Sequence, residues 1–143
     1  MAYLFDTDAI SEVLKPRPLP EYVTWLRTIS RSEQFTSAVV VGELFKGAFR
    51  SPEASRHLRN IETRVLPAVT VLSYDVEAAR IYGALQAQLQ GAGRTLADAD
   101  LQIAATAIHH GLELVTGTLR HFRRIPGLRL CAALDEARRE RPS

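Results

Sequence analysis

Three carboxylates stand where an ordinary soluble chain would not place them. Asp6 directly follows the apolar run Ala2-Tyr3-Leu4-Phe5, at the point where a short buried strand must end. Asp100 lies in a stretch whose apolar side, at helical spacing, is made by Ile103, Ala104, Ala107 and Ile108, and it falls in the middle of that side. A lone ionised carboxylate there costs several kcal/mol unless it is paired, hydrogen-bonded or bound to a cation. Glu43 follows Ala38-Val39-Val40-Val41-Gly42, at the border of a helix side made by Val40, Leu44 and Ala48. Gly47, one turn on, leaves space beside it. Carboxylates that converge repel one another and need a cation, and oxygen-only ligands select Mg²⁺ or Mn²⁺ over zinc. His57, His109, His110 and His121 supply no metal-ligand spacing.

Each acid also has a plainer reading. An Asp after a strand is usually a cap or turn residue, and Asp8 suits that role better than Asp6, because Ser11 and Glu12 follow it into a helix. Glu43 on its own reads as a border residue pairing with Lys46. Asp100 reads as half of a buried pair with an arginine. Asp98 lies at the polar edge of its helix, where capping explains it. Asp100 resists the plain reading most, and a metal-ligand role is favoured there.

The elements that must position these acids follow from the pattern. Strands are expected at residues 2–5, 34–36, 69–72, 112–116 and 128–131. Between them, Pro16, Pro18 and Pro20 keep any helix after Ser11 brief, and Glu21 to Ser30 forms a second helix. Ser37 is placed to cap a helix running to about Arg50, and Pro52 to open another running to about Leu66. Asp75 caps a helix with Ala78, Ile81, Tyr82, Leu85 and Leu89 on one face, ended by Gly91 and Gly93. Thr95, with Asp98 three residues on, opens the next as a weak capping box, and Gly111 closes it. Strands separated by helices imply an α/β fold, a mostly parallel sheet of four to five short strands with helices on both faces. In such a sheet ligands bind beyond the carboxyl ends of the strands, which is where Asp6 falls.

With 143 residues, 46% hydrophobic and 24% charged, one globular domain over residues 1–143 is expected. The apolar runs are far too short to span a membrane, and the opening residues do not read as a secretory signal. No membrane partner is expected. Cys131 is the single cysteine, which suits a reducing cytoplasm. The net charge of +2 conceals a gradient: residues 120–143 hold seven arginines against three acids, whereas residues 1–119 hold 11 basic side chains against 13 acids. The tail over 132–143 reads as a basic helix, either solvated or in contact with phosphates or an acidic partner.

The motifs resemble those of a known family. Leu4-Phe5-Asp6-Thr7-Asp8-Ala9-Ile10-Ser11 resembles the opening motif of PIN-domain nucleases, and Val41-Gly42-Glu43-Leu44-Phe45-Lys46-Gly47 their second. The run Asp98-Ala99-Asp100-Leu101-Gln102-Ile103-Ala104-Ala105-Thr106-Ala107 is similar to the third. Leu114-Val115-Thr116-Gly117-Thr118 and His121 to Leu128 resemble the closing segment. Order, spacing and length are similar to VapC-type toxins of toxin–antitoxin pairs. The resemblance implies a PIN-like fold and a Mg²⁺- or Mn²⁺-dependent endoribonuclease, the toxin of a type II system, silenced by a cognate VapB-type antitoxin and homodimeric. Carried over by position, Asp6, Glu43 and Asp100 are the catalytic metal ligands. Thr7 and Thr118 are candidate contacts for water or phosphate, and Arg120, Arg123 and Arg124 candidate contacts for RNA. Many relatives carry Asp or Asn where this chain has Thr118, and a threonine cannot hold a second cation by charge.

Two other readings remain open. Asp6-Thr7-Asp8 also resembles the aspartyl nucleophile motif of haloacid-dehalogenase-like phosphatases, but that chemistry expects a downstream lysine. Lys15 and Lys46 are the only lysines, and no paired acidic motif follows a late strand. A catalytically degenerate PIN-like module that binds RNA or a partner without cutting would explain Thr118.

Overall fold

The computed structural model describes residues 1–140. Five parallel strands form one sheet in the order β3-β2-β1-β4-β5: β1 (Tyr3–Phe5), β2 (Gln34–Ser37), β3 (Thr70–Leu72), β4 (Glu113–Val115) and β5 (Leu130–Cys131). The chain winds outward from β1 to β3, then returns to the other side of β1 with β4. The crevice beyond the carboxyl ends of β1 and β4 is therefore the topological switch point, the usual place for a ligand in a doubly wound sheet. Asp6 ends β1 there, and Thr116 ends β4.

The helices are α1 (Thr7–Leu14), α2 (Pro20–Leu26), α3 (Ala38–Arg50), α4 (Ala54–Asn60), α5 (Val76–Gly91), α6 (Asp98–His110), α7 (Leu119–Phe122) and α8 (Ala133–Arg139). Leu4 and Leu114 on the central strands meet Val40 from α3, Leu101 and Ile103 from α6 and Leu134 from α8, all essentially inaccessible to water. Each such side chain contributes roughly 1.5–3 kcal/mol of apolar burial, which fixes α3 and α6 against the edge where their acids emerge. Among the described residues no helix is long and apolar enough to cross a membrane.

Ser37 caps α3 through the Val40 amide at 3.1 Å, Asp75 caps α5 through Ala78 at 2.9 Å, and Gly111 ends α6 with φ at +65°, as the sequence predicts. Four expectations give way. Asp6, not Asp8, caps α1, its Oδ1 accepting the Ala9 amide at 2.8 Å; the helix begins at once after the strand, leaving Asp8 inside the first turn. The helix expected from Pro52 to Leu66 is regular only over α4; it loosens into one π turn at Ile61–Val65 and a 3-10 turn at Leu66–Ala68, where Pro67 cannot continue the ladder.

Thr95 does not cap α6. That helix starts at Asp98 with no side-chain cap, and the Asp98 carboxylate instead accepts the Tyr82 hydroxyl at 2.7 Å and Gln86 Nε2 at 2.9 Å, tying α6 to α5. Tertiary partners outcompete the local box. Asp98→Ala is expected to cost only about 1 kcal/mol, since the tie is exposed to solvent, and a thermal melt measures it. The arginine-rich tail departs from its expected readings at one residue: Arg138 binds Asp8 within the chain, whereas Arg139 stays largely exposed beside Asp135 at 2.8 Å. Residues 141–143 of the expected helical tail lie outside the described residues.

Candidate active site

Asp6 is 5% exposed, at the head of α1 and the foot of the switch-point crevice. Burial pushes its carboxyl up to about 7, reinforced by Asp8 and Asp100 nearby and opposed by hydrogen bonds from the Thr116 hydroxyl and the Ala9 amide. Asp100, half-buried on the first turn of α6, is also raised, by burial and then by the charge of Glu43, with His121 pulling the other way. Among the described residues Asp100 makes no ion pair, so the buried-arginine reading gives way. Nor does Glu43 pair with Lys46: its Oε1 accepts the Thr7 hydroxyl at 2.5 Å, linking α3 to α1.

The fold thus brings Asp6, Asp100 and Glu43 into one electrostatic neighbourhood, each delivered by a different element. α3 packs against both α1 and α6, which makes this possible. Among the described residues no three acids, histidines or cysteines close into a ready-made metal cage. Mutual repulsion of carboxylates in a part-buried site opposes such closure.

Thr116 has no individual role in the sequence reading, yet it is the residue that touches Asp6. It is fully buried at the end of β4. Its hydroxyl faces the Asp6 carboxylate and helps hold it ionised, and its oxygen accepts the Thr118 amide at 3.1 Å and lies 3.0 Å from the Thr118 hydroxyl. Thr118 itself is exposed. Arg120, Arg123 and Arg124 are all exposed on or just after α7. A cleft of about 240 Å³ is lined by Thr118, Arg120, His121, Arg123, Asp135 and Arg139, but by none of the three acids and not by Arg124. A second groove, of about 440 Å³, runs from Thr7 and Glu43 between α1, α3 and α4.

Sheet order, switch point and acidic edge together define a doubly wound PIN-like α/β domain with an all-oxygen site at its carboxyl edge. The PIN-domain family model matches residues 3–128. Ribonuclease VapC2 of Haemophilus influenzae is 34% identical over 134 residues, covering 90% of this chain and 96% of that protein. The tRNA(fMet)-specific endonuclease VapC of Salmonella typhimurium is 32% identical, covering 91% and 96%. A solved structure of DNA-bound VapBC from Salmonella typhimurium superposes with a TM-score of 0.83 at 31% identity, covering 92% of this chain and 97% of that one. The chain belongs to the PIN-domain family, in its VapC branch.

Proposed function

We propose that the protein is a Mg²⁺- or Mn²⁺-dependent endoribonuclease, the toxin of a type II toxin–antitoxin pair, acting in the cytoplasm. The observation that carries this reading is the buried Asp6 at the switch point, with Asp100 in its field and Glu43 in turn in that of Asp100. The donors fit a hard divalent cation: three carboxylates with threonine hydroxyls beside them, and no sulfur or imidazole cluster. Asp6, Glu43 and Asp100 would hold the ion. When bound, it supplies an acidified water and stabilises charge developing on a phosphate.

The chain's own groups do the rest. Thr116 fixes the orientation of the Asp6 carboxylate, and Thr7 that of Glu43. Arg120, Arg123 and Arg124 attract the RNA backbone toward an edge whose acids alone would repel it. The family membership and the VapBC complexes among structural relatives support a VapB-type antitoxin as partner, with a basic group approaching the acids, and a homodimeric toxin. Incubating the purified chain with RNA and with a phosphomonoester tests the reaction class. Cleavage of RNA alone is expected; hydrolysis of the monoester alone would point to phosphatase chemistry. A second reading, a module that binds without cutting, rests on Thr118, and cleavage of neither substrate would favour it.

Thr118 sets the metal count. Its hydroxyl shares a hydrogen bond with that of Thr116 at 3.0 Å, and a neutral oxygen is a poor ligand for a hard cation. One ion per protomer is expected in the free protein, and Thr118→Asp should tighten binding by about ten-fold through the added charge. Calorimetry with Mg²⁺ or Mn²⁺ reads both; two tight sites in the wild type would refute the count.

A further inference from the structure

The C-terminal helix reaches across the molecule into this site. Arg138 on α8 donates from Nη1 to Asp8 Oδ2 at 2.7 Å and from Nη2 to Asp8 Oδ1 at 2.8 Å, a two-pronged pair, with a third contact to Glu12 at 3.3 Å. Glu12 is itself buried and accepts Lys15 at 2.9 Å and the Leu19 amide at 3.1 Å, so the anchor is held on several sides. The Gly117 backbone also faces the Asp8 carboxylate, which Arg138 and that backbone together hold below the usual carboxylate range. Gly117 lies flat against the ion pair: a Cβ there would fall 1.9 Å from Arg138 Nη1 and 2.5 Å from Asp8 Oδ2. Its neighbours on either side are Thr116, which bonds Asp6, and Thr118, which bonds Thr116.

The path runs from Arg138 through Asp8 to Gly117 and Thr116, and the Asp6 amide, which donates to the Val115 carbonyl at 3.1 Å, sets Asp6 beside that turn. Resting on the nuclease reading, we propose that Arg138 is a positioning residue: docked through Asp8, it holds the Thr116-Gly117-Thr118 turn so that Thr116 orients Asp6. The active site is then completed by the last helix of the chain, and Asp8 serves as its socket rather than as a ligand. An arginine suits the task because its planar fork matches both carboxylate oxygens at once, which a lysine cannot do.

The test pairs amide hydrogen exchange with kinetics on a short RNA. In Arg138→Gln the Gly117 and Thr118 amides should exchange about ten-fold faster or more while those of Leu114 and Val115 in β4 keep their rates, because only the turn is released. With the divalent ion saturating, kcat should fall about ten-fold with KM within about two-fold, the signature of misplaced rather than missing contacts. Arg138→Lys, able to make one of the two bonds, should recover part of the loss. Gly117→Ala keeps both charges but leaves no room for the pair, so it should reproduce the Arg138→Gln pattern and carries the test if that variant does not fold. Unchanged exchange at Gly117 and Thr118, or acceleration shared equally by β4, would overturn the proposal. Should the wild type cut no RNA, the nuclease reading falls, and the exchange rates alone still decide whether the path from α8 holds the turn.

Discussion

Asp100→Asn is expected to reduce RNA cleavage by about 10²-fold or more while leaving the fold intact, a loss of the size seen when one preorganised charge-stabilising group is removed. Asp100 sits on the first turn of α6, half-buried, with Glu43 and His121 as its electrostatic neighbours and no salt bridge to lose. Replacing it by an isosteric amide removes a unit of negative charge without opening a cavity. Asp6→Asn should be as damaging to cleavage, since Asp6 is the most buried of the three acids. Initial rates on a labelled RNA at saturating Mg²⁺, read beside a melting curve, check both. If Asp100→Asn cuts at the wild-type rate, Asp100 is not a ligand.

The same two substitutions should act in the opposite sense on stability. Without a cation, folding moves the Asp6 carboxyl from 3.8 to about 7, chiefly through burial. The folded chain therefore holds this proton more tightly than the unfolded chain. Its contribution to stability is greatest below pH 3.8 and is lost as pH rises through about 7. A shift of about three pH units corresponds to on the order of 4 kcal/mol for a group so little exposed. In EDTA, Asp6→Asn should therefore melt higher than the wild type at pH 8, with the gap closing toward pH 5. Asp100→Asn should show a smaller gain, because Asp100 is only half-buried. Added Mg²⁺ should stabilise the wild type by about 2.7 kcal/mol at one hundred times its dissociation constant, and the asparagine variants far less. Calorimetric melts across pH, with and without the ion, measure the whole pattern. A wild type whose stability rises steadily from pH 5 to 8 in EDTA would show that Asp6 is not held as described.

What could be read from the residues, and what could not, divides by distance along the chain. Asp6 and Asp100 stand out locally, one at the end of an apolar run and the other on an apolar helix face. Glu43 is distinguishable from an ordinary border glutamate only through the motif around it, and its bond to Thr7 joins residues 36 apart. Asp98 imitates a capping box so well that its tie to Tyr82 on the preceding helix is invisible from sequence. Thr116 looks like any β-branched residue ending a strand. The Arg138–Asp8 pair spans 130 residues and carries no periodic or compositional trace, so the tail's charge alone leaves a solvated end and a contact with an outside partner equally open. The sheet was legible because β1, β3 and β4 carry apolar runs and the polar β2, Gln34–Ser37, is marked by its β-formers Phe35 and Thr36 and by Ser37, which caps the next helix. Parallel order then follows from alternation.

The central claim is that these carboxylates work through a divalent cation on RNA. Its most direct measurement is cleavage of a defined RNA by the purified wild type in EDTA, followed by titration with Mg²⁺ or Mn²⁺. The account predicts no cleavage in EDTA and recovery as the ion is added, with Asp6→Asn and Asp100→Asn failing to recover. Undiminished cleavage in EDTA would contradict it.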